Sequence, residues 1–191
     1  AAAEAMAQLG CAADTVVVFA AVEHLQNERG LLADLQQVTM AEKIVGCSAL
    51  GVLTGQGEID AGPGIAVAAL SSDTITTDPF LYRPLRDCDR RMGEWLAPRV
   101  GGASSGNRLL ALFPDSYNTQ PQALIQGMEE SLGYLPVVGA GCSENAGAGK
   151  TYQICGAEIT TNAAAGFLLT GDFAASIGIT QGCQPVTHPM V

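Results

Sequence analysis

Two segments of this chain end an apolar strand in a turn of small residues, and they lie 93 positions apart. The first is Ile44-Val45-Gly46-Cys47-Ser48-Ala49-Leu50-Gly51, followed by a hairpin signal at Gly55-Gln56-Gly57 and the apolar run Gly64-Ile65-Ala66-Val67-Ala68-Ala69-Leu70. The second is Val137-Val138-Gly139-Ala140-Gly141-Cys142-Ser143, with Ala163-Ala164-Ala165-Gly166-Phe167-Leu168-Leu169 behind it. Small side chains let a backbone bend sharply and leave its amides open to another group. The same offset of 93 superposes Val16 on Leu109, Ile44 on Val137, Val45 on Val138 and Gly46 on Gly139. This spacing predicts an internal duplication. Strand–helix–strand units are often about 30 residues long on their own, so two unrelated units also fit it.

The remaining signals place elements around these two anchors. Ala1–Leu9 reads as a helix closed by Gly10. Thr15–Phe19 is apolar on both faces, as a central strand covered from both sides requires. Leu25, Leu31, Leu32, Leu35 and Val38 recur at helical spacing, which predicts a helix over 28–40. Thr74–Thr77 is β-branched and expected to be extended. Pro84 is placed to open a helix, lined by Leu85, Cys88, Met92, Trp95 and Leu96 and running to Ala97. Pro98 and Gly101-Gly102-Ala103-Ser104-Ser105-Gly106 should end it, giving a linker over 99–107. Beyond the linker the order repeats: strand Leu109–Phe113, helix Pro121–Leu132, strand Val137–Gly139, then strands Ile154–Thr161 and Ala163–Thr170. The expected fold class is α+β: one domain of two βαβββ-like units (10–100 and 107–191), whose mixed β-sheets are covered by helices in a layered sandwich.

Composition narrows the function classes. Hydrophobic residues make up 48% of the 191 and charged ones 15%, enough to bury a sizeable core and too apolar for a disordered chain. No apolar run approaches the roughly 20 residues needed to span a bilayer. Nine basic against nineteen acidic residues leave a net charge of −10, a field that repels nucleic acid and anionic membrane surfaces. Arg83, Arg86, Arg90 and Arg91, interleaved with Asp87 and Asp89, read as a solvated helix face. The six cysteines (11, 47, 88, 142, 155 and 183) form no CxxC pair and several sit in apolar company. Reduced thiols acting as small hydrophobes are expected. The sequence opens at Ala1 without a secretory apolar region. Cytoplasmic residence, or a plastid or mitochondrial matrix after removal of a leader, is the expectation.

Three motifs look like chemistry and fail on inspection. Gly149-Lys150-Thr151 resembles the end of a phosphate-binding loop, but the Gly required five residues before Gly149 is Glu144. Gly139-Ala140-Gly141 begins a dinucleotide fingerprint whose third Gly is again Glu144. Gly46-Cys47-Ser48-Ala49-Leu50 departs from a nucleophile elbow at Leu50. Cys47 or Cys142 could serve as a nucleophile beside a base, yet His24 and His188 are the only histidines. No metal or cofactor ligand set is recognisable. Asp14, Asp60, Asp115, Glu144 and Asp172 read as solvated turn residues near strand ends, one of which could face a ligand amine.

Taken in order, these pieces resemble the FIST domain, the sensory module named for F-box and intracellular signal transduction proteins. The likeness is carried by Thr15–Phe19, Ile44–Gly51, Gly64–Leu70, Pro136–Gly141, Ala163–Thr170 and the tail Gly182-Cys183-Gln184-Pro185-Val186-Thr187. It covers nearly the whole chain and matches the N-terminal FIST segment, with the family's C-terminal segment due just after Thr187. Where the family commonly carries Gly-Trp, this tail has Gly182-Cys183. The resemblance implies a non-catalytic module that binds small ligands such as amino acids and signals to a partner protein, and it brings no catalytic residues. The candidate ligand site is the place where the two turns would meet: Gly46, Cys47, Ser48 and Gly51 from one, Gly139, Gly141, Cys142 and Ser143 from the other. Exposed amides there would hold a carboxylate. Two other classes stay open: an accessory subunit that docks on a larger assembly, and a cysteine-dependent hydrolase.

Overall fold

Val16, Val18 and Ala20 point to one side of the strand Thr15–Ala20 and Val17 and Phe19 to the other, and both sides are packed. A strand of this kind needs cover on both faces. The computed structural model, which describes residues 1–26, 28–60, 62–102, 106–145 and 147–179, supplies it with two sheets between two helical layers. In chain order the elements are α1 (Ala2–Leu9), β1 (Thr15–Ala20), α2 (Val22–Leu25), α3 (Glu28–Thr39), β2 (Lys43–Ser48), β3 (Val52–Thr54), β4 (Gly57–Ile59), β5 (Ile65–Leu70) and β6 (Ile75–Tyr82). A short 3-10 turn, Asp89–Arg91, leads into α4 (Met92–Gly102), β7 (Asn107–Pro114), α5 (Pro121–Leu132), β8 (Val137–Gly139), β9 (Gln153–Cys155), β10 (Glu158–Thr160) and β11 (Ala164–Gly171).

The first sheet has the order β10-β9-β2-β1-β5 and the second β6-β11-β7-β8, while β3 and β4 pair only with each other. Helices α1 to α3 cover the outer face of the first sheet, where Leu25 and Leu35 meet Val16, Val18, Ile44 and Ile154. Helices α4 and α5 cover the second, where Met92, Leu96, Leu124 and Met128 meet Phe80, Leu110 and Leu112. Between the sheets lie Val17, Val45 and Cys47 against Ala111, Phe113, Cys142 and Ala165, and the rings of Phe19 and Phe113 meet edge-on at 5.2 Å. The result is the layered α+β sandwich expected from the sequence.

The same pattern of pairing occurs in both sheets. β1 and β2 run parallel with Val18 opposite Gly46, and β7 and β8 run parallel with Leu112 opposite Gly139. Each central strand has an antiparallel neighbour on its other side, β5 on β1 and β11 on β7. A Cβ at Gly46 would press into the carbonyl oxygen of Val18, and one at Gly139 into that of Leu112. Close backbone approach excludes any side chain at either position. Gly139 also has φ +149°, a conformation that favours glycine.

Several expectations are corrected. Pro84 does not open a helix: it follows β6 at a cis peptide bond, and β6 itself extends to Tyr82 because it pairs along its whole length with β11. The helix begins at Met92 and continues through Pro98 to Gly102, since its last turn still buries Val100. The linker therefore shrinks: 99–102 are helical, Asn107 starts β7, and 103–105 lie outside the described residues. The arginines do not share a helix face. Arg83 pairs with Glu158, Arg86 Nε donates to Asn118 Oδ1 at 2.7 Å, and Arg90 reaches Glu130 at 2.7 Å. Asp89 among them is buried and accepts from the backbone amides of Arg90 and Gln120.

Candidate functional site

The two glycine-ended turns do meet, and they meet as a closed seam. Ser48 N donates to Tyr152 O at 2.9 Å, while Tyr152 N donates to Ser48 Oγ at 3.0 Å. Leu50 N donates to Ser143 Oγ at 2.9 Å, and Ser143 N to Ser48 O at 3.2 Å. Ala49 N donates to Ala20 O and Cys142 N to Pro114 O, both at 2.9 Å. Ser116 Oγ donates to Cys142 O. The structure thus gathers Cys47, Ser48, Cys142 and Ser143 at one place. The amides of Ser48, Ala49, Leu50, Cys142 and Ser143, which a bound carboxylate would need, are already engaged. Gly51 stands apart at the foot of the β3–β4 hairpin, against Ile59 and Asp60.

Inside the seam the thiols of Cys47 and Cys142 touch, both buried. Cys142 Sγ donates to Phe113 O at 3.4 Å and accepts from Gln153 Nε2 at 3.4 Å. The contact with Cys142 pushes the Cys47 thiol well above its ordinary range, and burial adds to that. A thiol held this way is protonated at neutral pH, the inert form. His24 is bonded through Nε2 to Pro63 O at 2.6 Å, and His188 lies outside the described residues.

Two of the acidic residues expected to be solvated are buried. Asp115 accepts four hydrogen bonds, from Tyr117 N and Thr151 Oγ1 on one oxygen and from Asn118 Nδ2 and Asn162 N on the other, all between 2.8 and 2.9 Å. It ties three loops together. Glu144 accepts from the Tyr117 hydroxyl at 2.6 Å and from the amides of Gly147 and Ala148. The Tyr117 hydroxyl, helped by those amides, lowers the Glu144 carboxyl from its usual range, and Glu144 in turn raises the Tyr117 phenol. Thr151, from the spurious phosphate motif, is one of the Asp115 donors. Lys150 Nζ lies 5.2 Å from the centre of the Tyr152 ring. Among the described residues, no three His, Cys, Asp or Glu side chains are arranged to hold a metal ion.

Open space lies beside the seam. A groove of about 520 Å³ runs between α5 and β8. On the helix it is lined by Pro121, Leu124, Ile125, Met128, Glu129 and Leu132, spaced as one face of α5 from end to end. The opposite wall is Val137 to Gly141, with Leu112, Pro114, Ser116 and Thr119. Gly139 and Gly141 of the candidate set are therefore in the groove, while Gly46, Cys47, Ser48 and Gly51 are not. Among the described residues the Thr119 hydroxyl is buried there without a partner, and Glu129 is the sole ionisable residue of the lining. Ile125 is 53% exposed, and Tyr134, in the turn between α5 and β8, is 96% exposed. The α5 face escaped the sequence reading because a helical apolar stripe ordinarily means core. The available signal was Tyr134-Leu135-Pro136, an apolar approach to a strand only three residues long.

The corresponding edge in the other sheet is filled. β9 lies antiparallel on β2 with Ile154 opposite Gly46, and Ile154 and Ile159 pack with Leu35 and Ile44 beneath α3.

These features define a layered α+β domain in which, among the described residues, one sheet edge is sealed and the equivalent edge is open. The family model described as FIST N domain matches residues 14–191, and the chain belongs to that family of signal-transduction sensory domains. Two curated relatives, both described as uncharacterized proteins, come from Mycobacterium tuberculosis strains CDC 1551 / Oshkosh and ATCC 25618 / H37Rv. Each is 26% identical over 175 residues, which is 92% of this chain and 44% of the relative. The chain thus spans less than half the length of the curated relatives it matches. Among the described residues no helix is long and apolar enough to cross a membrane.

Proposed function

We propose that this chain is a non-catalytic sensory domain that binds a small ligand in the α5–β8 groove and signals the bound state to a partner protein. The observation that carries the reading is the continuity of groove and seam. Gly139 to Gly141 line the groove, and the next two residues, Cys142 and Ser143, are bonded to Pro114, Ser48 and Leu50. A ligand that moves this turn pulls on the contact between the two sheets. The apolar lining suits an amino-acid-like ligand through its aliphatic side chain, with the Thr119 hydroxyl for a polar end. A glycine against the carbonyl of a parallel central strand in each unit supports descent of both from one βαβ ancestor, although Val18 to Gly46 is 28 positions and Leu112 to Gly139 is 27, so the offset of 93 fails by one residue on β7.

The test is titration of the 15N-labelled chain with a panel of amino acids and their amides. Saturable shifts at Ile125 and Gly139 to Gly141 are expected for the aliphatic members. A panel that leaves every one of these signals in place would overturn the reading. Docking on a larger assembly is the second reading, favoured by the exposed Ile125, Val137 and Tyr134 around a bare strand edge. The protonated, partner-bound state of Cys47 weighs against a cysteine hydrolase.

A further inference from the structure

The structure contains a worked example of what fills such a groove. On the first sheet, β9 adds antiparallel to the outer edge of β2, and Ile154 opposite Gly46 drives its side chain under α3. The chain carries a second hairpin of the same form, β3–β4, with three residues, a two-residue turn and three residues, as in β9–β10. Its tether is too short to repeat the act. Three residues separate the end of β2 at Ser48 from Val52, whereas thirteen separate the end of β8 at Gly139 from Gln153. The first hairpin therefore stays beside β5, and Leu53, which holds the place of Ile154, is 75% exposed. Among the described residues no strand pairs with the outer edge of β8, and the groove lies beside it.

We infer that an extended segment of a partner protein competes with the small ligand for the groove, adding to β8 as an antiparallel strand with a branched aliphatic residue opposite Gly139 and a basic residue opposite Val137. The inference rests on the groove being the ligand site. Val138 packs between the sheets, so Val137 and Gly139 face α5, and strand residues opposite them face it too. The aliphatic side chain would thus enter the groove as Ile154 enters its counterpart. The basic residue follows from charge: Glu129, in the last turn of α5, is the one ionisable group of the lining, and the chain carries a net charge of −10. Main-chain bonding to an edge gives such additions their affinity, and alternate side chains give them specificity.

The experiment uses the whole 191-residue chain and a fluorescein-labelled, end-blocked peptide, Thr-Gln-Ile-Thr-Lys-Thr, followed by anisotropy and by 15N-amide shifts. Saturable binding with shifts at Val137 to Gly141 is expected. Replacing the peptide Ile by Asp should weaken binding about tenfold or more, and Lys by Glu about fivefold. Glu129→Lys should reverse the preference between the Lys and Glu peptides. Ile125→Glu should abolish binding while thermal unfolding shows an intact fold, because Ile125 is exposed. Absence of peptide binding while free aliphatic amino acids still shift Gly139 to Gly141 would overturn this inference and leave the ligand reading standing. Absence of both would remove the two together. Self-association of the chain that Leu53→Asp abolishes would mean that a second copy's hairpin takes the groove, which also overturns it.

Discussion

The outer edges of β2 and β8 are equivalent positions with opposite fates. Each strand runs parallel to a central partner, each needs a glycine against the partner's carbonyl, and each lies under one long helix. One edge is sealed by β9–β10, and the other has no strand on it among the described residues. The difference traces to connection length, since the thirteen residues between Gly139 and Gln153 cross to the other sheet and the three between Ser48 and Val52 do not. A short change in a surface connection thus decides whether a sheet edge is covered by a hairpin or left open, at little entropic cost to the longer loop.

The comparison can be broken most violently at the glycines. Gly46→Val forces a side chain into the Val18 carbonyl at the centre of a five-stranded sheet. It should cost at least about 4 kcal/mol, read as loss of cooperative folding in thermal melts. Gly139→Val meets the same obstacle on a three-residue edge strand that can shift, and should leave a folded chain with a distorted groove. Next comes the pair of aliphatic residues at the two edges. Ile154→Ala should lower stability by about 3 kcal/mol, and Ile125→Ala by no more than about 0.5 kcal/mol, both by denaturant unfolding. Equal losses would mean that the α5–β8 groove is packed in solution.

Smaller effects sharpen the picture around the seam. Exposed Cys11 should react with a thiol probe about a hundredfold faster than Cys47, whose buried thiol is held protonated. Comparable rates for the two would mean that the seam opens. Glu144 is the smallest case. Its folded-state carboxyl lies below its ordinary range, so its contribution to stability is present above that range and fades as pH falls through the folded value. Tyr117→Phe removes the leading cause and should move the Glu144 titration upward in NMR, narrowing that acid-side window.

Much of this was legible in the sequence. The β1–α3–β2 and β7–α5–β8 units follow from apolar runs and helical spacing, but Gly46 lies inside β2, which runs on to Ser48, and only Gly139 closes its strand. Local rules failed where long-range pairing decides. Asp78 and Pro79 disguise the length of β6, which β11 holds in place, and Pro98 is carried through a helix by the burial of Val100. The structure brings Cys47, Ser48, Cys142 and Ser143 together as neighbours. The sequence reading treated their amides as open, and no local pattern reveals that Tyr152, Ala20 and Pro114 occupy them. The groove was missed for a related reason: the stripe on α5 has the spacing of core, and only the absence of a strand beside β8 exposes it.

Amide hydrogen exchange read residue by residue compares the two edges directly. The outward-facing amides of Val137 and Gly139 should exchange at least about a hundredfold faster than those of β2 and Ile154, and slow when the groove is occupied. Equal protection at β2 and β8 in the free chain would contradict the central claim, because it would mean that the second edge is already sealed.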